Sequence, residues 1–159
     1  MAPALLFDLT QIDLTAAPLF DKKAISAINP QQFEMQQLDG ILWCDRRKEC
    51  ILGYKDVTDK EFWVRGHIPG RPLMPGVMQI EAGAQLLSFF VTKVYQEQGF
   101  IGFGGIERAK FRATVEPGCR LYLLGHITEA RPGRKYACDI QGVVSDTLVF
   151  EATIFGLKV

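Results

Sequence analysis

The sequence lacks an excess of charge of either sign. Its 159 residues include 18 Lys and Arg and 18 Asp and Glu, so the formal net charge is zero. Proteins that bind nucleic acid or anionic membrane surfaces attract them with a positive field. The charge balance therefore predicts neither partner, and any charged ligand must be met by a local patch.

Metal-binding side chains are also scarce. The chain has two histidines, His67 and His126, and four cysteines that form no C-x-x-C pair: Cys44, Cys50, Cys119 and Cys138. Zinc sites need several such side chains at short spacings. The segment Gly102-Phe-Gly-Gly105 does not follow the G-x-G-x-x-G pattern of a dinucleotide-binding loop. The sequence therefore shows neither a zinc-like grouping nor a phosphate-binding loop.

Targeting signals are missing as well. The residues from Met1 to Asp8 carry no basic leader, and no apolar run reaches the length of a membrane span. We expect a cytoplasmic protein that does not enter the membrane. Reduced thiols agree with that compartment, and a disulfide between Cys44 and Cys50 is the less favoured alternative.

Apolar residues, in contrast, are plentiful at 48% of the chain, which is enough for one core. We expect a single domain over residues 1–159, with residues 1–20 as an extended arm. The spacing of apolar residues predicts a hairpin, a helix from Val77 to about Gln98 ended by Gly99, and four strands at 106–115, 120–128, 135–144 and 148–157. The predicted fold class is α+β, with an antiparallel sheet wrapped around one long helix that is buried on most sides.

The chemistry-bearing residues fall between Arg65 and Gln85. Three prolines stiffen the loop that holds His67, and the helix begins just after the last of them. Glu81 lies one turn into the helix, on the face that carries Val77 and Ala84. Apolar surroundings favour the protonated form of a carboxyl group, so Glu81 can act as an acid while an imidazole titrates near neutrality.

An electropositive helix end accompanies these two groups. The N–H groups of Gly76 and Val77 lack intrahelical partners and would polarise a carbonyl docked on them. His67 could then remove a proton from the neighbouring carbon while Glu81 helps a β-hydroxyl leave as water. The spacing thus indicates β-elimination next to a carbonyl. The same residues also fit a structural role, with His67 bound to loop backbone and Glu81 capping the loop.

The run from His67 to Gln85, His-Ile-Pro-Gly-Arg-Pro-Leu-Met-Pro-Gly-Val-Met-Gln-Ile-Glu-Ala-Gly-Ala-Gln, resembles the signature of FabZ-type 3-hydroxyacyl-acyl carrier protein dehydratases. The segments Gly105–Arg112 and Val115–Gly118 resemble later parts of that family, in the right order. The resemblance implies a hot-dog fold. It also implies conversion of (3R)-3-hydroxyacyl to trans-2-enoyl thioesters on acyl carrier protein, in fatty acid or related acyl-chain biosynthesis.

The resemblance also implies a role for each site residue. His67 matches the catalytic base, Glu81 the catalytic acid, and Gly76 the glycine whose N–H binds the thioester carbonyl, with Val77 next to it. Gln85 matches a supporting polar residue, and the resemblance implies a reaction that uses no metal and no cofactor. The sister FabA type, which also isomerises the double bond, has aspartate where this chain has Glu81, so dehydration without isomerisation is implied.

The same resemblance implies an assembly. It is a homodimer in which His67 of one subunit faces Glu81 of the other, in some members assembled further into a hexamer, a trimer of dimers. The chain departs from the family pattern at Ile68, where phenylalanine is usual, at Cys119, where aspartate is common, and over Asn29–Met35, which replaces a Pro-His-Arg region. These departures remove no catalytic group but bear on the choice of acyl chain.

Three cations alternate along one predicted strand and would share a face: Arg108, Lys110 and Arg112. They form either a solvated surface or a dock for the acidic carrier protein and its phosphopantetheine phosphate. Six aromatic residues are candidates for an acyl tunnel or for plain core: Phe62, Trp63, Phe89, Phe90, Phe103 and Phe111.

Three alternatives to a dehydratase remain open on the sequence. The first is a hot-dog thioesterase, and the second is a hydratase that runs the reverse reaction on coenzyme A thioesters. The third is a subunit that binds acyl thioesters without catalysis.

Overall fold

The computed structural model describes residues 3–159, and its main feature is one antiparallel sheet of seven strands packed against a long helix. The strands are β1 (Phe20–Asp21), β2 (Gly40–Asp45), β3 (Cys50–Asp56), β4 (Ile101–Phe111), β5 (Arg120–Arg131), β6 (Lys135–Val144) and β7 (Thr147–Lys158). The helices are α1 (Lys22–Ser26) and α2 (Gly76–Phe89), which continues as a π-helix over Phe90–Val94. The strand order is β1-β2-β3-β5-β6-β7-β4.

Helix α2 lies against the inner face of the sheet, where it forms the main core. Leu86, Phe89 and Phe90 are fully buried, together with Phe150 of β7. Gly83 allows this close approach, because a Cβ there would lie 2.3 Å from the Ile140 side chain. The predicted α+β architecture, an antiparallel sheet around one long helix, is confirmed.

The predicted end of α2 is wrong by four residues. The helix ends at Val94 through a π-helical turn in which the Tyr95 N–H bonds to the Phe90 carbonyl at 3.2 Å. Glu97 lies outside the helix, and its carboxylate accepts from the N–H of Gly133, in the turn between β5 and β6, at 2.7 Å. Gly99 has a positive φ of 80°, but it lies in the following loop and does not cap the helix.

The first strand after the helix is also displaced from its predicted position. It begins at Ile101, five residues early, because the glycine-rich segment pairs with β7. It ends at Phe111, and the chain to Val115 then runs toward the loop before α2, where the Met74 N–H bonds to the Val115 carbonyl at 2.7 Å. Strand β4 pairs only with β7 in the sheet order, so its other edge is free within the described residues.

The N-terminal segment covers the outer face of the sheet. Its apolar side chains, including Leu6 and Phe7, pack on a second buried cluster that contains Leu52 and Leu124. Gln141, which is 5% exposed, holds the backbone: its Oε1 accepts from the Leu6 N–H at 2.8 Å and its Nε2 donates to the Ala4 carbonyl at 3.0 Å. Met1 and Ala2 of the predicted arm lie outside the described residues.

Candidate active site

His67 lies on the exposed loop between β3 and α2, and the loop backbone fixes its ring. The His67 N–H donates to the Trp63 carbonyl at 2.8 Å, and the His67 carbonyl accepts from the Leu73 N–H at 2.9 Å. Its Nδ1 lies 2.8 Å from the Leu73 carbonyl oxygen. A carbonyl can only accept, so Nδ1 carries the proton in this contact and the neutral ring presents Nε2 as a base.

The start of α2 presents free backbone donors close to this loop in sequence. Pro75 occupies the N-cap position, and no side chain caps the helix. The Pro75 carbonyl accepts from the N–H groups of Met78 and Gln79 at 2.9 and 3.2 Å, which leaves those of Gly76 and Val77 for a ligand. The predicted apolar face is wrong at Val77, whose side chain is 75% exposed.

Gly76 has no space for a side chain. A Cβ at this position would lie 2.7 Å from Cζ of Phe111, the last residue of β4. The Phe111 ring is 50% exposed and stacks on Phe150 at a centroid distance of 6.3 Å. Phe111 therefore covers the first turn of α2 and leaves room there only for glycine.

Glu81 is half-buried on α2 and is bound to one side chain. Its Oε1 accepts from Gln85 Nε2 at 2.8 Å. Gln85 is 1% exposed, and its amide also bonds to the segment before β2: Nε2 donates to the Met35 carbonyl at 2.6 Å, and Oε1 accepts from the Gln37 N–H at 2.8 Å. Gln85 thus fixes Glu81 relative to a second part of the chain.

A cavity of about 120 Å³ opens beside Glu81. It lies between α2, at Ala84 and Ser88, and the start of β4, at Phe100 and Phe103. A second cavity of about 390 Å³ shares Ser88, Phe100 and Ile101 with it and extends past Thr92 to the loop after α1. A groove therefore runs along α2 from Glu81 toward the C-terminal end of the helix.

The structure places the six aromatic residues predicted for a tunnel or for core in three different environments. Phe103 lines the Glu81 cavity. Trp63, Phe89 and Phe90 are buried in the core. Phe62 and Phe111 are about half exposed, and neither lines the groove.

Within the described residues of one chain, nothing links the side chains of His67 and Glu81 directly. Among residues 3–159, no hydrogen bond joins the two side chains, and His67 does not line the cavity that contains Glu81. Gly76, Val77, Glu81 and Gln85 follow one another on α2, whereas His67 is exposed on the preceding loop.

The three predicted cations are exposed but not equivalent. Arg108 and Lys110 face outward on β4, opposite Thr153 and Glu151 of β7. Arg112 lies just beyond the end of the strand, and its Nε donates to Glu151 at 2.9 Å. The free positive surface is therefore centred on Arg108 and Lys110.

Sequence reasoning missed the contribution of the segment before β2. The polar stretch from Gln31 to Gln37 shows no periodicity, yet it supplies Gln31 to the cavity beside Glu81 and two backbone groups to Gln85. Phe155 of β7 also lines this cavity. Neither segment carries a pattern that could have revealed its contact, because both meet α2 only in the folded chain.

Neither a metal-ligand group nor a membrane-spanning helix is found among residues 3–159. No three His, Cys, Asp or Glu side chains within residues 3–159 are grouped as metal ligands would be. No helix in the described part of the chain has the length and apolar character needed to cross a membrane.

An antiparallel sheet wrapped around one long helix defines the hot-dog class of fold. Two solved structures share this fold. The dehydratase heterocomplex ApeI:P from Xenorhabdus doucetiae has a TM-score of 0.71 and 11% sequence identity, and the match covers 85% of this chain and 90% of that chain. Cj0977, a sigma28-regulated virulence protein from Campylobacter jejuni, has a TM-score of 0.69 and 17% identity, and the match covers 93% of this chain and 96% of that chain. At these identities the likeness shows the fold alone.

The family follows from sequence comparison. A model of the FabA-like domain matches residues 29–153. The 3-hydroxyacyl-acyl-carrier-protein dehydratase FabZ of Koribacter versatilis is 36% identical over 143 residues, which cover 87% of this chain and 89% of the relative. FabZ of Sorangium cellulosum is 37% identical over 121 residues, 74% of this chain and 77% of the relative. The chain belongs to the FabA-like family.

Proposed function

We propose that the protein is a 3-hydroxyacyl-acyl carrier protein dehydratase of the FabZ type, acting in fatty acid or related acyl-chain biosynthesis. The observation that carries the proposal is the His67 ring, held through Nδ1 by the Leu73 carbonyl so that Nε2 is free as a base. The names of the similar FabZ proteins support the reaction and the carrier-bound substrate.

In the proposed mechanism, the thioester carbonyl docks on the Gly76 N–H, with the Val77 N–H next to it. Developing negative charge on the carbonyl oxygen is stabilised there by the helix N-terminus. Nε2 of His67 removes a proton from C2, and the electron pair of that C–H bond forms the C2–C3 double bond. The C3–O bond breaks, and Glu81 protonates the departing hydroxyl, which leaves as water.

The working site is proposed to form between two chains. His67 of one subunit would meet Glu81 of the other, since within one chain the two side chains do not share a cavity. The free edge of β4 supports this arrangement, because unpaired strand edges invite pairing with another strand. Large apolar side chains are exposed on β4 and at the start of α2 next to it: Val77, Phe103, Ile106 and Phe111. A trimer of such dimers is the further assembly that the family resemblance implies.

The carrier and the acyl chain are proposed to bind at different places. Arg108 and Lys110 offer positive charge to the acidic carrier protein, whereas the acyl chain enters the groove beside Glu81. Charge reversal at Arg108 and Lys110 should weaken turnover of the carrier-bound substrate relative to a short soluble thioester. Equal loss on both substrates would exclude docking at this surface.

The localisation proposed is the cytoplasm. All four cysteines are free, and thiols stay reduced in that compartment.

The decisive assay uses purified protein with a 3-hydroxybutyryl-carrier thioester and follows enoyl absorbance together with free thiol. The dehydratase predicts enoyl product without thiol release. Thiol release without enoyl would identify a thioesterase, and folded protein that forms neither product would be a binding subunit. Activity on coenzyme A thioesters alone, favouring hydration of the enoyl form, would identify a hydratase.

Two variants test the assigned roles. His67→Ala and Glu81→Gln should each lose at least about a hundredfold in kcat, because each removes one of the two proton-transfer groups, worth roughly 10²–10⁴-fold apiece. Circular dichroism should show that both variants fold. Near-normal turnover by either variant would refute the mechanism.

A further inference from the structure

A buried ion pair lies at the beginning of the loop that carries His67. Lys55, near the end of β3, has a side chain that is 4% exposed, and its Nζ lies 2.8 Å from Glu61 Oε1, whose side chain is 14% exposed. No residue between Val57 and Pro75 belongs to a strand or helix. The pair therefore ties an irregular segment to the rigid sheet.

Glu61 uses its second oxygen to hold the turn that precedes it. Oε2 accepts from the Thr58 N–H at 3.1 Å and from the Thr58 hydroxyl at 2.9 Å. Burial alone would raise the pKa of Glu61, but the hydrogen bond and charge of Lys55, together with the bonds from Thr58, lower it below the usual value. Glu61 is therefore ionised near neutral pH and remains bound to Lys55.

Backbone hydrogen bonds lead from Glu61 directly to His67. The Glu61 carbonyl accepts from the Val64 N–H at 3.1 Å. The Trp63 carbonyl, within the same turn, accepts from the Gly66 N–H at 3.2 Å and the His67 N–H at 2.8 Å. The Trp63 side chain is 4% exposed, which anchors this turn in the core. A shift of Glu61 would thus displace the acceptor that positions the His67 backbone.

The geometry points to Lys55 and Glu61 as positioning residues for His67, an inference that rests on the proposed role of His67 as the base. A buried ion pair is a poor device for stability, because desolvation offsets much of the attraction between its charges. It can nevertheless fix the position of a segment, since a buried charge that loses its partner has no water to replace it. Neither side chain touches the reacting atoms in this inference, and both act through the Trp63 turn.

The experiment compares Lys55→Met, Glu61→Gln and the double variant, using the dehydration assay and thermal unfolding. Each single variant leaves a buried group unpaired, so both Tm and kcat should fall, kcat by at least tenfold with KM within threefold. The double variant leaves no uncompensated charge and should recover most of the lost Tm. Its kcat should stay at least tenfold below wild type, because the turn is no longer held in place.

A control separates positioning from general loss of stability. Leu124→Ala removes a fully buried side chain on the outer face of the sheet, away from the His67 loop. It should lower Tm by a similar amount while kcat stays within threefold of wild type. Recovery of kcat together with Tm in the double variant would show that the pair is merely structural and would overturn the inference, as would a Lys55→Met variant with normal kcat.

Failure of this inference is distinguishable from failure of the proposed function. If wild-type protein forms no enoyl product, or if His67→Ala retains activity, the proposed function fails. If the wild-type protein forms the enoyl product and His67→Ala is inactive, the proposed function stands. If kcat then rises and falls together with Tm in the Lys55 and Glu61 variants, only the positioning role fails.

Discussion

At the residue scale, backbone groups and one glutamine set the state of the two proposed catalytic side chains. The Leu73 carbonyl selects the His67 tautomer, and Gln85 holds the Glu81 carboxylate. Gln85 makes three hydrogen bonds at once, to Glu81, to the Met35 carbonyl and to the Gln37 N–H. Replacing it therefore affects both the acid and the packing of the segment before β2.

Gln85→Leu should lower kcat by at least tenfold and destabilise the protein by about 1–3 kcal/mol, because buried polar groups lose their partners. Steady-state kinetics and urea unfolding measure the two effects. The matched control is Gln79→Leu, another buried glutamine on α2, whose Nε2 makes only a 3.4 Å bond to the Met74 carbonyl. A larger loss of kcat in Gln79→Leu than in Gln85→Leu would contradict the proposal that Gln85 holds Glu81 in place.

At the scale of elements, the groove between α2 and the start of β4 offers a path for the acyl chain. From Glu81 to Thr92 the path follows roughly 16 Å of helix, and Ser88 lies where the two cavities meet. This length exceeds that of a four-carbon acyl group. The proposed acyl path therefore predicts a preference for substrates with longer chains.

Ser88→Phe should close the passage between the two cavities. We expect the ratio of kcat/KM for a 3-hydroxydodecanoyl thioester to that for a 3-hydroxybutyryl thioester to fall at least tenfold, because only the longer chain passes Ser88. Thr92 lies further along the groove than Ser88. Thr92→Phe should therefore reject only acyl chains long enough to reach Thr92, whereas Ser88→Phe should also reject shorter ones. An unchanged ratio in Ser88→Phe would place the chain elsewhere.

The segment that follows α2 contains a carboxylate whose titration is coupled to folding. The hydrogen bond from Tyr136 and the N–H of Gly133 lower the pKa of Glu97 to about 2, from 4.5. A carboxyl group whose pKa is lower in the folded state than in the unfolded state stabilises the folded state at pH values above its unfolded-state pKa. This contribution is lost as the pH falls through the folded-state pKa.

The free energy of unfolding should therefore fall between pH 4.5 and about 2 in the wild-type protein. In Glu97→Gln the decline over this interval should be shallower, since the titrating group is gone. Urea unfolding at neutral pH and at about pH 3 measures the difference. Parallel curves for the two proteins would show that Glu97 does not contribute to acid sensitivity.

At the scale of the whole molecule, the proposed shared site requires two chains. His67→Ala and Glu81→Gln each inactivate every site of their own homodimer. A mixed dimer has one site with both defects and one site with both native groups. The structure gives the reason to expect sharing, because one chain holds its His67 outside the cavity of its own Glu81.

Mixing equal amounts of the two inactive variants under subunit exchange should restore about a quarter of wild-type activity, since half the dimers are mixed and each carries one native site. Light scattering establishes the dimer, and unmixed variants give the baseline. If the mixture stays inactive although the subunits exchange, each chain must build its own site.

Sequence alone determined the parts that depend on local pattern. Proline spacing defined the His67 loop, and apolar spacing defined α2 together with most of the later strands. Strand β6 occupies the predicted residues from Lys135 to Val144 without change. The candidates His67, Gly76, Glu81 and Gln85 were found because they lie within 19 residues of one another in one recognisable run.

Only the tertiary structure decided the rest, because contacts between distant segments leave no local pattern. The bonds from Gln85 to Met35 and Gln37 cross about 50 residues of sequence. The early end of α2 depends on the hydrogen bond that the Gly133 N–H donates to Glu97. The narrow space at position 76 depends on the ring of Phe111. Spacing placed His67 and Glu81 near each other along the chain, but only the fold shows that the cavity beside Glu81 is lined without His67.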